Sequence, residues 1–148
     1  MSDTILTTED TEITKTAKSI NELTERLIGC AIEVQRALGP GLLESTYEMC
    51  LCRELNLQKI PFLRQQPIPV LYKGVKLDCG YRADLIVDGR LLVEIKSIDQ
   101  IVAIHDAQLL SYLKLSGLKV GLLINFNVRM LKDGIRRRVI GPSEEVSL

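Results

Sequence analysis

The chain has no tryptophan, one histidine, and aromatic residues at only 4% of its 148 positions. So few aromatics exclude an aromatic-lined strand surface for stacking bases. Neither sign of charge is in excess: 19 Lys and Arg stand against 19 Asp and Glu, with a pI of about 6.6. No global basic field advertises nucleic acid, so any such contact must come from a local patch. No apolar run approaches the roughly 20 residues of a membrane span, and the opening MSDTILTTEDTEITKT lacks a signal-peptide core. A cytoplasmic protein with no membrane partner is expected. The cysteines at 30, 50, 52 and 79 do not complete a zinc set with His105. They are expected to be reduced, buried thiols.

What is present suits one globular domain. Residues 1–18 are Thr-rich without periodicity and are expected to be a flexible lead-in, 19–141 the domain, and 142–148 a tail. Leu23, Leu27, Ala31, Val34 and Leu38 recur at helical spacing, and Gly39-Pro40-Gly41 stops that helix. A second helix is predicted over Leu42 to Leu57. The period then changes to that of strands. Phe62 to Tyr72 reads as extended but interrupted by Pro67 and Pro69, Lys73-Gly74 as a turn, and Val75 to Val87 as one long strand bent near Gly80. Arg90 to Ser97 is the next strand and Ala103 to Ser116 a helix. KVGLLINF is apolar enough for a strand buried on both faces, and Asp133-Gly134 turns into a last strand, Ile135 to Ile140. The order ααβββαββ predicts an α/β (α+β) fold, a mixed sheet with helices on its faces.

Three charges interrupt the apolar hairpin YRADLIVDGRLLVEIKS: Asp84, Glu94 and Lys96. Side chains alternate along a strand, so Glu94 and Lys96 share a face. Asp84 joins them only if the turn is odd. A two-residue loop at Asp88-Gly89 sets Asp84 on the other face, whereas an odd loop such as Val87-Asp88-Gly89 brings it to theirs. Asp-Gly suits both; the odd loop is predicted as the condition of function. If the three converge, two carboxylates suit Mg²⁺ or Mn²⁺, and the lysine can offset charge on a phosphodiester under attack. With 11 Glu and 9 Lys in the chain, about 0.7 E-x-K triplets arise by chance. The triplet alone therefore does not separate a site from a solvated sheet face.

Gln108 and Tyr112 lie four apart, on one face of the helix after the E-x-K strand. His105 lies close to that face and reads as a helix-start residue rather than a ligand. In GLLESTY, Glu44 and Tyr47 lie three apart at the start of the second helix. Together, Asp84, Glu94-x-Lys96 and Gln108-x-x-x-Tyr112, preceded by Glu44, resemble the PD-(D/E)XK nuclease superfamily with a RecB-type Gln-x-x-x-Tyr element. Gly41-x-x-Glu44-x-x-Tyr47 resembles the signature of the GxxExxY proteins within it. Ala83 stands where the superfamily motif has its proline.

The resemblance implies a restriction-endonuclease-like αβββαβ core with an extra N-terminal helix and a C-terminal strand. It implies Mg²⁺ or Mn²⁺ held by Asp84, Glu94 and Glu44, with Lys96 as catalytic lysine and Gln108 and Tyr112 lining the site. Arg136 and Arg138, on one face of the last strand, and Tyr47 are expected to contact nucleic acid; charge protecting an edge strand explains the arginines equally well. The expected activity is metal-dependent hydrolysis of nucleic acid, DNA favoured, by a chain that acts as a homodimer or within a larger complex. The alternative is a silent binding or assembly module that keeps the fold.

Overall fold

The protein is described by a computed structural model covering residues 19–141; the lead-in expected over 1–18 and the tail over 142–148 lie outside the described residues. Helix α1 (Ile20–Leu38) starts at Ser19, whose Oγ accepts the Glu22 N–H at 2.9 Å. It buries Leu23, Leu27, Ala31 and Val34 and ends at Gly39, with φ of 69°. Helix α2 (Glu44–Leu57) follows directly after the glycine-proline break.

The strands are β1 (Phe62–Pro67), β2 (Val70–Tyr72), β3 (Val75–Leu77), β4 (Arg82–Val87), β5 (Leu91–Lys96), β6 (Val120–Asn125) and β7 (Ile135–Val139), with helix α3 (Ala103–Ser116) between β5 and β6. Five form one sheet in the order β1-β4-β5-β6-β7. Only β5 and β6 run parallel, as the crossover through α3 requires. This is the mixed α+β architecture of a restriction-endonuclease-like fold, with α1 and β7 added to an αβββαβ core.

The long strand predicted over Val75 to Val87 is broken in two. Asp78 Oδ1 accepts the Gly80 N–H at 2.9 Å, and Gly80 takes φ of 82°, so the chain turns there. The first half pairs with β2 as a separate hairpin and only the second half joins the sheet. Likewise Asp133-Gly134 is not a bare turn but the end of a 3₁₀ turn, Leu131–Gly134.

The sheet buries both faces. Leu85, Val93, Leu122 and Ile124 pack against α1 and α2, while Leu92 and Leu123 pack against Leu109 and Leu113 of α3. Strand β6 is buried along its whole length, as its unbroken apolar run predicts. A Cβ at Gly121 would lie 2.8 Å from Leu109 Cδ1, so glycine here is what lets α3 sit close on the sheet. None of the helices among the described residues is long and apolar enough to cross a membrane. Cys30 and Cys52 are buried free thiols and Cys50 is half-buried, but Cys79, in the exposed turn before β4, is not the core thiol expected.

Candidate active site

The turn between β4 and β5 decides the site. Val87 pairs with Leu91, so the loop holds three residues, Asp88, Gly89 and Arg90. Asp88 and Gly89 are both left-handed, with φ of 53° and 67°, and Arg90 N–H closes the turn on Val87 O at 3.1 Å. The count is odd, as predicted, although the loop sits one residue later than Val87-Asp88-Gly89. The ladder ends at Leu85–Val93, so Asp84 and Glu94 are the next residues on their two strands.

At that point side chains take over from the ladder. Glu94 Oε2 accepts the Asp84 N–H at 2.8 Å, and Asp84 Oδ2 accepts the Ile95 N–H at 2.7 Å. Each carboxylate thus replaces a carbonyl that the opposite strand no longer supplies, and the two acids are locked side by side. Glu94 is 6% exposed. Burial first, and then the Asp84 charge, push its pKa up to about 8; the Asp84 N–H and Lys96 oppose the rise. Burial also raises Asp84, against the Ile95 N–H and Lys96.

A raised carboxyl pKa has a definite consequence for stability. The folded state disfavours the ionised acid, so the contribution is complete below about pH 4.5 and is lost as pH climbs through about 8. In chelator, the protein is expected to lose on the order of a few kcal/mol between pH 5 and pH 9. Glu94→Gln should flatten that slope in urea unfolding; parallel slopes for the two proteins would contradict it.

Lys96 ends β5 half-buried and makes no ion pair among the described residues. Its charge acts on both acids. From α3, Tyr112 reaches the same region: it is 6% exposed, and burial first, then Glu94, raise its hydroxyl pKa. Gln108 Nε2 donates to the Tyr112 hydroxyl at 3.1 Å, and Tyr81 packs on its ring at 5.9 Å. The Gln-x-x-x-Tyr pair is therefore one hydrogen-bonded unit beside the acids.

From α2, Glu44 lines a cleft of about 560 Å³ together with Glu48, Gln65, Asp84 and Ser97. Glu44 Oε2 accepts the Ser97 N–H at 3.2 Å, and Ser97 Oγ donates to Leu42 O at 2.6 Å, tying the residue after Lys96 to the start of the helix. Behind them, the buried Asn125 holds Ile98 at both its N–H and its carbonyl.

Tyr47 is not a nucleic-acid contact. It is fully buried and stacks on Phe126 with centroids 4.6 Å apart and planes 7° apart. Its hydroxyl donates to Gly39 O at 2.6 Å and accepts the Leu42 N–H at 3.2 Å. A side chain expected to contact nucleic acid is instead the anchor of the Gly39–Leu42 loop. Arg136 folds back on its own backbone, and Arg138 pairs with Asp106 of α3 at 2.8 Å. His105 Nδ1 accepts the Val102 N–H at 2.9 Å and caps α3, as its position suggested.

Two residues at the site escaped the sequence reading. Glu48 lies one helical turn after Glu44, a spacing that could have flagged it. Gln65 contacts Glu48 and Asp84 with its amide, and no motif marks it.

The donor set fits a hard divalent ion. It is all oxygen; besides burial, the Asp84 charge raises the pKa of Glu94 and the Glu48 charge raises that of Asp84, and among the described residues nothing donates to Glu94 Oε1. Among those residues no three His, Cys, Asp or Glu side chains cluster as a complete metal cage. Two carboxylates are nonetheless what Mg²⁺ often takes from a protein, since it keeps waters and draws further ligands from substrate phosphate.

A mixed sheet carrying opposed carboxylates and a lysine at one end defines a nuclease-type fold. The sequence matches the family model of the PD-(D/E)XK nuclease superfamily over residues 21–138, and the chain belongs to that superfamily. Searches among curated proteins and among solved structures give no significant match.

Proposed function

We propose that the protein is a nuclease that hydrolyses phosphodiester bonds of nucleic acid with Mg²⁺ or Mn²⁺, DNA being the favoured substrate. The observation that carries this reading is the opposition of Asp84 and Glu94, each taking a backbone N–H of the other's strand, with Lys96 two residues on. Asp84 and Glu94 would hold the ion, with Glu44 at the cleft rim. When bound, the ion supplies positive charge that polarises the phosphodiester and acidifies water. Lys96 offsets the negative charge that grows on the phosphate. Gln108 orients the Tyr112 hydroxyl towards the same region, and the Glu44–Ser97 bond fixes the chain beyond Lys96.

Phosphate contacts are assigned to local cations, given the neutral chain. Arg136 is half-exposed; Arg138 would have to leave Asp106. Arg36, Arg129 and Lys132 line a second cleft, of about 520 Å³, whose lining includes no carboxylate. The loop after α1 contributes Gly39 and Pro40 to this cleft and Leu42 and Leu43 to the first, so a strand could cross from one to the other. The Gly41-x-x-Glu44-x-x-Tyr47 signature supports a place among the GxxExxY proteins.

The test is cleavage of end-labelled single- and double-stranded DNA and RNA with Mn²⁺ or Mg²⁺ against a chelator control. Asp84→Asn serves as the inactive comparison. Cleavage that needs the ion and is lost in the variant is expected. No ion-dependent cleavage, or equal cleavage by the variant, overturns the reading and favours a silent binding module.

A further inference from the structure

Gln65 stands in the middle of β1 with φ of 49°. Left-handed backbone is costly for a residue with a side chain, and no turn there calls for it. Strand pairing passes over the position: Arg64 pairs with Leu85 and Gln66 with Ala83, leaving Gln65 unpaired opposite Asp84.

Successive side chains of a regular strand point to opposite faces, so Arg64 and Gln65 would ordinarily not meet the same partner. Here both reach Glu48. Arg64 grips Glu48 Oε2 through Nε at 3.0 Å and Nη2 at 2.9 Å, while Gln65 Nε2 donates to Oε1 at 2.8 Å. The same Nε2 donates to Asp84 Oδ1 at 3.2 Å. An amide NH₂ has two hydrogens, and each is given to a carboxylate. Glu48, 5% exposed and clamped by Arg64, is the fixed end of this chain.

We propose that Gln65 is a positioning residue for Asp84, holding its carboxylate in the orientation that receives a divalent cation, with Glu48 acting through it. The proposal rests on the metal-dependent reading above. Asp84 is then held at both oxygens, Oδ2 by the Ile95 N–H and Oδ1 by Gln65, so rotating its plane breaks hydrogen bonds. Each oxygen keeps a lone pair for the ion. The residue type follows from that task. A lysine or arginine at 65 would neutralise Asp84 and compete with the cation. A glutamate would repel both Asp84 and Glu48. A neutral amide with two donors orients the carboxylate and leaves its charge available.

The left-handed backbone also separates positioning from folding. Glycine accepts this φ without strain, so Gln65→Gly removes the amide while relieving the backbone. The experiment is calorimetric titration of Mn²⁺ into the metal-free protein, its Gln65→Gly variant and its Gln65→Met variant, each checked by urea unfolding. Wild-type protein is expected to bind Mn²⁺. Both variants should bind about 10-fold or more weakly, as losses of residues that orient ligands do. Gln65→Gly should do so with an unfolding midpoint no lower than wild type, and should lose kcat rather than KM in oligonucleotide cleavage. Wild-type affinity in Gln65→Gly overturns the positioning role alone. Absence of Mn²⁺ binding by the wild type overturns the metal-dependent reading and this role with it.

Discussion

Replacing Lys96 by alanine is expected to slow metal-dependent cleavage by about 10²- to 10³-fold, the usual cost of removing one group aimed at developing charge. The backbone at Lys96 is secured independently of its side chain. It pairs with Asn125 of β6, and its carbonyl accepts the Phe126 N–H at 2.9 Å. The side chain is half-buried and in no ion pair among the described residues, so truncation removes charge more than packing. Lys96 also lowers the pKa of Glu94, and its loss would leave Glu94 harder to ionise. Single-turnover rates should therefore be compared at pH 7 and at pH 9, with saturating Mn²⁺. A deficit confined to pH 7 would assign Lys96 to ionising Glu94; a deficit at both pH values assigns it to the reacting phosphate. Rates within twofold of wild type at both would exclude Lys96 from the chemistry.

Tyr47→Ala is expected to destabilise the fold by about 3–5 kcal/mol, the range for deleting a large buried aromatic. The ring lost is the partner of Phe126, whose neighbour Asn125 holds the segment after Lys96. The variant would also orphan the Gly39 carbonyl and the Leu42 N–H. Tyr47→Phe isolates that second part: about 1–3 kcal/mol for the two unpaired backbone groups. Urea unfolding measures both. A phenylalanine variant as stable as wild type would show that the hydroxyl does not hold the loop. Because Leu42 and Leu43 line the cleft that holds Glu44 and Asp84, the phenylalanine variant should also slow the proposed cleavage while remaining folded at assay temperature.

Much of the site was readable because local chemistry constrains it. The period-two rule alone puts Glu94 and Lys96 on one face, and the four-residue spacing puts Gln108 beside Tyr112. The unbroken apolar run of β6 foretold its burial. The turn at Asp88-Gly89 shows where local chemistry stops. Asp-Gly fits an even or an odd loop, and the observed loop, with Asp88 itself left-handed, is settled by the packing of Leu85, Val87 and Leu91 into one core. Tyr47 shows the same limit from another side. A tyrosine has an apolar body and a polar tip, and its stacking on Phe126, 79 positions away, is a contact that no local pattern names. Arg138 was likewise ambiguous until Asp106 came within 2.8 Å.

By itself, then, the sequence determined the order of the helices and of the five strands of the main sheet, the sharing of one face by Glu94 and Lys96, and the residue types of a candidate two-carboxylate site, but not the split of Phe62 to Tyr72 and Val75 to Val87 that sets the β2–β3 hairpin apart. Those follow from periodicities and from functional groups, which are properties of short stretches. Tertiary structure alone decided that Asp84 and Glu94 each accept a backbone N–H from the other's strand, that Glu48 and Gln65 belong beside Asp84, and that Tyr47 serves the loop. Each depends on contacts between segments remote in sequence, where a one-residue change of register reverses every side chain and only the packed core selects among the possibilities.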